Sequence, residues 1–432
     1  MALPSSLVSS LAICSASGLP AAVSVLTALT RLDFTFVELN GYVVNQAAGN
    51  LPWGLDCLRH LERLKQLSFD AVSIDSNAEE LLALPALAGL QALRLVRCSL
   101  QAAPRALAGL TQLTTLDLSM NCIPTTAALA TLQRLRSLEL QHCRLTAVPE
   151  QVSVLTALTR LDLSGNDAMA GGWQHLQPLT QLQHLNLDHC SLRAVPPQLA
   201  ALAALTRLDL SRNRHLAGGL QHLLALTQLR DLTYTGCHIT AVPQQLSTLE
   251  VLTCLDLSFN EPLNGGWQHL QPLTQLQALK LFCCGLTAVP EQLSAQTALT
   301  RLDLSFNEPL NGGWQHLQPL TQLQALRLSR CGLTAVPQQL SAQTALTRLD
   351  LSVNEPLNDG WQHLQPLTQL QVLGLSRCGL TAVPQQLSVL TALTRLDLSA
   401  NKLERGWQHL QSLERLPGTQ LPTPGMAALR AV

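Results

Sequence analysis

Cysteine and histidine residues, whose side chains form disulfides and bind zinc, recur at fixed intervals along this chain of 432 residues. Paired thiols could form disulfides, and thiols combined with imidazoles could hold a zinc ion. Whether either chemistry is possible depends on where the intervening segments place these side chains. The two series, with members 46 or 47 residues apart, are Cys143, Cys190, Cys237, Cys284, Cys331 and Cys378, and His175, His222, His269, His316, His363 and His409.

The same interval of 47 residues separates copies of the phrase LTRLDLS, which recurs from Leu158 to Leu393. A second phrase of the type LQALRLSRCGL begins midway, so each module divides into one unit of 24 residues and one of 23. Both units fit the pattern L-x-x-L-x-L-x-x-N/C-x-L, and both have lengths typical of leucine-rich repeats. The chain therefore resembles the leucine-rich-repeat superfamily, strongly over residues 64–416 and less so over residues 1–63. Its units are most similar to those of intracellular members of the LxxLxLxxNxLxxLP type.

The resemblance implies an α/β fold, a right-handed solenoid or horseshoe with a parallel β-sheet on the concave face and short helices or turns on the convex face. The repeats predict sixteen strands beginning between Leu29 and Leu393, and a seventeenth if the fragment at Leu11 is counted. Because alternate residues of a strand face opposite sides, Leu302 should face the core while Arg301, Asp303 and Ser305 should face outward.

Three segments follow from the regularity of the repeats. Residues 1–63 read as divergent or truncated N-terminal repeats with an insertion, because the spacing from Leu29 to Leu64 is 35 residues. Residues 64–416 form the regular array, and residues 417–432 form a proline-containing tail predicted to be disordered. Neither end has an evident polar capping unit, although repeat arrays usually need one.

This geometry argues against the disulfide and metal interpretations. The recurring cysteines occupy the N/C position of the pattern, where the resemblance implies a small buried group that bonds the adjacent turn. Successive cysteines then lie two repeats apart, roughly 9 to 10 Å, whereas a disulfide needs alpha carbons within about 7 Å. The histidines are equally far apart, so we expect solvated side chains and no metal site.

The outward strand residues are the strongest candidates for binding a partner, because solenoids usually bind along the sheet. One column is arginine and the next is aspartate, and opposite charges side by side could instead simply pair with one another. Exposed aromatic and arginine side chains suit a protein-binding hot spot. The predicted contact residues are Phe259, Phe282, Phe306, Arg327, Arg330, Arg377, Arg301, Asp303, Arg348 and Asp350.

Composition narrows the function further. A formal net charge of -1 provides no field to attract nucleic acid or an anionic membrane, and an aromatic content of 3% argues against an aromatic-lined small-molecule pocket. No phosphate-binding, nucleophile-elbow or zinc-protease motif occurs, so no cofactor, metal or catalytic residue is expected. Segments from Leu255 to Leu279 and from Leu302 to Leu326 are identical, which indicates recent duplication.

We therefore expect a non-catalytic scaffold or protein-interaction module that binds a protein partner on its concave face, in intracellular signalling or regulation. A structural cytoskeletal or axonemal component is one alternative. A secreted or surface ectodomain is another, and it would require cleavage near residues 1–18, which carry no Lys or Arg. The absence of N-x-[ST] acceptors and of clustered cap cysteines favours the cytoplasm.

Overall fold

A computed structural model describes residues 9–14, 23, 25–35, 58–124 and 126–413. Most of the predicted N-terminal insertion and the whole predicted tail, residues 417–432, lie outside these described residues. The chain comprises two compact units, Met1–Leu226 and Thr227–Val432, called here the first and second units. The boundaries predicted at residues 63 and 416 stay predictions.

The described residues of the first unit form nine parallel strands that pair in chain order. The β2 and β3 strands stay in register although 35 residues separate Leu29 from Leu64, so the extra residues lie in their connection. The strands are β1 (Ser10–Cys14), β2 (Arg31–Thr35), β3 (Gln66–Asp70), β4 (Ala92–Val96), β5 (Thr115–Asp117), β6 (Ser137–Glu139), β7 (Arg160–Asp162), β8 (His184–Asn186) and β9 (Arg207–Asp209).

From β3 onward, the described connections of the first unit contain short helical turns. Among them, α1 is an α-helix that spans Ala78–Leu82, and the others are 3₁₀ helices. The 3₁₀ helices are Pro85–Leu87, Arg105–Gly109, Ala127–Thr131, Glu150–Val154, Trp173–Leu176, Pro197–Ala201 and Leu220–Ala225.

The second unit contains eight parallel strands, also paired in chain order. They are β10 (Asp231–Thr233), β11 (Cys254–Asp256), β12 (Ala278–Lys280), β13 (Arg301–Asp303), β14 (Ala325–Arg327), β15 (Arg348–Asp350), β16 (Val372–Gly374) and β17 (Arg395–Asp397). Its 3₁₀ helices are Gln244–Thr248, Trp267–Leu270, Glu291–Ala295, Trp314–Leu317, Gln338–Ala342, Trp361–Leu364, Gln385–Val389 and Trp407–Leu410.

The core of each coil lies between its strand and its helical turn. Leu302 on β13 and Leu293 on the preceding turn are both buried, as is Leu299, which precedes the strand. The turn that leads into the helix at Trp314 needs Gly313, whose φ is +76°, because a Cβ there would lie 2.2 Å from the carbonyl oxygen of Val289. A left-handed backbone pressed against the previous coil therefore excludes a side chain.

The predicted α/β fold with parallel strands and short turns is confirmed. The fragment at Leu11 is strand β1, so the described residues contain the seventeen strands that the repeats predict. The prediction that Ser305 faces outward is wrong, since it is only 2% exposed. It follows the end of β13, and its hydroxyl accepts a hydrogen bond from the Ser329 amide at 3.2 Å.

Candidate functional site

The cysteine and asparagine columns bond successive coils together. Asn307 Oδ1 accepts hydrogen bonds from the amides of Cys284 and Leu286 at 2.9 and 3.0 Å. Its Nδ2 donates to the carbonyl oxygens of Leu281 and Leu304 at 2.8 and 2.7 Å. Cys284 Sγ donates to a carbonyl oxygen of the preceding coil, and burial raises the pKa of its thiol to about 12. This column therefore has the structural role that its position predicts.

The histidine column is less solvated than its sequence position suggests. His316 is half-buried, and its Nε2 lies 3.0 Å from Gln315 Nε2. His409 Nδ1 lies 2.9 Å from the carbonyl oxygen of Val383. Across the described residues, no three His, Cys, Asp or Glu side chains are grouped so as to hold a metal ion.

The strand face of the second unit carries two columns of side chains. Strand pairing places Ala278, Arg301, Ala325, Arg348, Val372 and Arg395 in the first column. The second column contains Lys280, Asp303, Arg327, Asp350, Gly374 and Asp397. Both columns line an open cavity of about 830 Å³, called here the strand-face cavity. Five of the predicted contact residues therefore lie together: Arg301, Asp303, Arg327, Arg348 and Asp350.

The aspartates of the second column are already engaged by the protein. Asp303 Oδ1 accepts a hydrogen bond from the Ser305 amide at 3.0 Å, and its Oδ2 lies 3.5 Å from Arg327 Nη1. Asp350 likewise accepts from the Ser352 amide at 3.0 Å. The side chain of Asp303 is only 13% exposed. Asp303 and Asp350 thus fix the turn after each strand, and each offers at most one oxygen to a partner.

Lys280 and Asp256 form the same kind of cross-strand ion pair, one module before Arg327 and Asp303. The Lys280 ammonium lies 3.0 Å from Asp256 Oδ2, and that hydrogen bond raises the pKa of Lys280. Ion pairs therefore form within the second column, between adjacent strands. Among the described residues of the second unit, none forms between the arginine and aspartate columns, which is what the alternative of mutual neutralisation requires. In the first unit one such pair does form, since Arg31 Nε lies 2.7 Å from Asp33 Oδ2.

The arginines of the first column keep their charges exposed. Arg301, Arg348 and Arg395 are exposed, and none of them has a carboxylate within ion-pair distance in the described part of the chain. The nearest residues in the column, such as Ala325 and Val372, are small and apolar. Three guanidinium groups thus lie in a column whose intervening side chains are small and apolar.

A second surface lies where the strands turn into the loops. The rings of Phe259 and Phe282 have centroids 4.9 Å apart, and those of Phe282 and Phe306 are 4.5 Å apart. Arg330 lies over the ring of Phe306 at 5.4 Å and is 3.4 Å from the Glu308 carboxylate. Phe259 is 58% exposed and Phe306 is 39% exposed. Phe259, Phe282, Phe306 and Arg330 are called here the aromatic ladder.

The exposed residues of this surface have left-handed backbone conformations. Phe259, Phe306, Arg330, Val353 and Arg377 all have φ between +51° and +61°, at the position just before the Asn or Cys column. Arg377 is exposed at the far end, without a contact to the aromatic ladder among the described residues. Val353 is 36% exposed beside Arg330 in this series and was missed by the sequence analysis.

The predicted contact residues leave out Lys280 and Arg395, although both line the cavity. The signal was available, because both occupy the same repeat positions as predicted residues. Within the described residues, no helix is both long enough and apolar enough to cross a membrane.

Comparisons with known proteins agree with this fold. Residues 133–192 match the family described as leucine rich repeat. A leucine-rich-repeat protein of Leptospira interrogans, LIC12759, has a similar structure, with 22% identity, a TM-score of 0.65 and 96% coverage of both chains. A TLR13–ssRNA13 complex gives 22% identity and a TM-score of 0.65, covering 94% of this chain and 64% of the other. No curated protein matches the sequence. The repeats and the parallel strands, together with the match over residues 133–192, show a leucine-rich-repeat fold.

Proposed function

We propose that this chain is a non-catalytic module that binds a protein partner through the strand face and the aromatic ladder of its second unit. The single observation that carries the proposal is the exposed stack of Phe259, Phe282 and Phe306 with Arg330 over its end. Aromatic and arginine side chains dominate the binding energy of protein interfaces, because they bury large areas at low cost in conformational entropy. Leucine-rich repeats typically serve as such interaction modules.

The charge of the surface also favours a protein over a nucleic acid. Five basic and three acidic side chains line the strand-face cavity, so carboxylates lie among its cations and cancel more than half of their charge. A phosphate backbone is recognised by several cations acting together, without carboxylates among them. An RNA is nevertheless the appropriate control ligand, because TLR13 has been solved with one.

We place the proposed activity in the cytoplasm, in signalling or regulation. The support is chemical: the buried cysteines act as protonated thiols that donate hydrogen bonds to carbonyl oxygens. A column that needs reduced thiols suits a reducing compartment.

Photo-crosslinking in the native cell tests the proposal. A benzophenone side chain placed at Arg377, two coils beyond Arg330 in the same left-handed series, should capture the partner, and mass spectrometry should identify it as a protein. Adding Phe259→Ala and Phe306→Ala should reduce capture at least ~10-fold, because truncating one hot-spot residue costs about 1–2 kcal/mol.

The matched control is Val389→Ala, since Val389 is equally exposed at 43% but lies on the helical turns of the same unit. It should leave capture unchanged. Equal capture by the double phenylalanine variant and the control would reject the proposed surface. Crosslinked material that disappears on ribonuclease treatment would reject a protein partner.

A further inference from the structure

The arginine column of the strand-face cavity has unused binding capacity. Arg301, Arg348 and Arg395 are exposed and lack carboxylate partners among the described residues. Asp303 is bonded to Arg327 and to a backbone amide, and Asp350 and Asp397 each accept a backbone amide without lying within ion-pair distance of these arginines. An arginine without a partner can form a bidentate, charge-assisted pair with an incoming carboxylate.

The spacing of these arginines restricts the shape of the ligand. Each arginine is two strands from the next, which at about 4.8 Å per strand gives about 9.6 Å. A polyproline II helix rises about 3.1 Å per residue with three residues per turn, so its residues i and i+3 face the same side about 9.3 Å apart. An ordinary β-strand does not match, since its residues i and i+3 face opposite sides.

The residues between the arginines suit the same ligand. Ala325 and Val372 separate successive guanidinium groups and form a small, apolar floor. Proline rings between the ligand's acidic residues would contact that floor. The second column contains Asp303, Asp350 and Asp397, two residues along the same strands as the arginines. These carboxylates would repel a ligand that is negatively charged at every position, such as a nucleic-acid strand.

We propose that Arg301, Arg348 and Arg395 form a subsite for an acidic segment of the protein partner, bound in a polyproline II conformation with one carboxylate at every third residue. This inference rests on the proposed function, because the segment belongs to the partner that docks on the same unit. The inference adds to the proposed function the kind of partner segment that is bound, namely an acidic one.

Binding of defined peptides to the full chain tests the subsite by fluorescence polarisation. One labelled peptide repeats Glu-Pro-Pro, and a second has the same composition with its glutamates contiguous. The spaced peptide should bind more tightly. Arg348→Ala should weaken its binding about fivefold, since an exposed ion pair contributes up to about 1 kcal/mol. Higher salt should weaken it further.

Val389→Ala serves as the matched control, because Val389 is exposed on a helical turn outside the cavity lining and should leave peptide affinity unchanged. Arg348→Ala should also leave the melting temperature unchanged, since Arg348 is exposed and unpaired. Loss of binding without loss of stability then assigns the effect to the subsite.

The remaining outcomes overturn the inference. Equal affinity for the two peptides would show attraction by charge alone, and no binding of either peptide would remove the subsite. Tighter binding of a single-stranded oligonucleotide of equal charge would assign the arginines to nucleic acid. If neither peptide binds while photo-crosslinking still captures a protein, the proposed function stands without this subsite. If neither peptide binds and no protein is captured, the proposed function and the subsite are both rejected.

Discussion

Replacing Gln296 by leucine should stabilise the protein, because this glutamine is buried with half of its amide unsatisfied. Gln296 is 0% exposed, and its Oε1 has no hydrogen-bond partner. Its Nε2 donates to the carbonyl oxygen of Leu270 at 2.8 Å. The equivalent positions one module earlier and two modules later are Leu249 and Leu390, both 0% exposed, so the coil accommodates leucine at this place.

The expected gain follows from three contributions. Removing an unsatisfied buried acceptor gains about 1–3 kcal/mol, and losing the Nε2 hydrogen bond costs about 0.5–1.5 kcal/mol. Leucine also loses about 1 kcal/mol less rotamer entropy on burial than glutamine. The carbonyl of Leu270 keeps a partner, since it also accepts from the Leu273 amide at 2.9 Å. We therefore expect the free energy of unfolding to rise by about 1–2 kcal/mol.

Urea unfolding of the full chain measures this change, provided that the slope of the transition is the same in the compared variants. Gln343→Leu should have the same effect, because Gln343 has the same burial, the same donor bond and the same unsatisfied oxygen. Leu390→Gln should do the reverse. If Gln296→Leu lowers the urea midpoint, the reasoning fails, and the amide oxygen must have a buried partner.

Three further results are expected. Gly313→Ala should destabilise the protein by about 2 kcal/mol or more in thermal unfolding, because of its positive φ and the close Val289 carbonyl, while Gly312→Ala, whose Cβ would meet nothing closer than 3.9 Å, should be neutral. Equal effects would contradict the described turn. Iodoacetamide at about pH 8 should modify half-exposed Cys283 and spare Cys284, as read by mass spectrometry of the native chain, because Cys284 is fully buried. Equal labelling would refute the strand register. Stability should fall as pH rises from about 9 toward about 12, because burial raises the pKa of Cys284 from 9.0 to about 12 while the unfolded thiol ionises near its ordinary value. Cys284→Ala should reduce this loss in urea midpoints compared across that range, and an unchanged loss would exclude the thiol as a cause.

The fold could be predicted from the sequence because its rules are local. The leucine spacing sets the length of each coil, and each coil packs only against its neighbours, so the strands and the Asn and Cys column follow from the pattern. Ser305 was assigned wrongly because strand alternation was extended past Asp303, where the strand ends.

The sequence predicted several residues of the candidate site, but it did not predict how their side chains are arranged. Phe259, Phe282 and Phe306 were predicted as exposed aromatic residues, yet no sequence pattern indicated that their rings stack. They belong to different coils, and Phe282 occupies a different repeat position from the other two. Only the packing of adjacent coils brings the three rings together.

What the sequence determined by itself is the repeating coil, with its buried leucines, its parallel strands and the columns that side chains occupy. What only the tertiary structure decided is which charges remain available. Asp303 could pair with Arg301 on its own strand or with Arg327 on the adjacent strand, and a few ångströms decide between them. Ion pairing falls off steeply with distance, so a spacing shared by all repeats cannot choose between those partners.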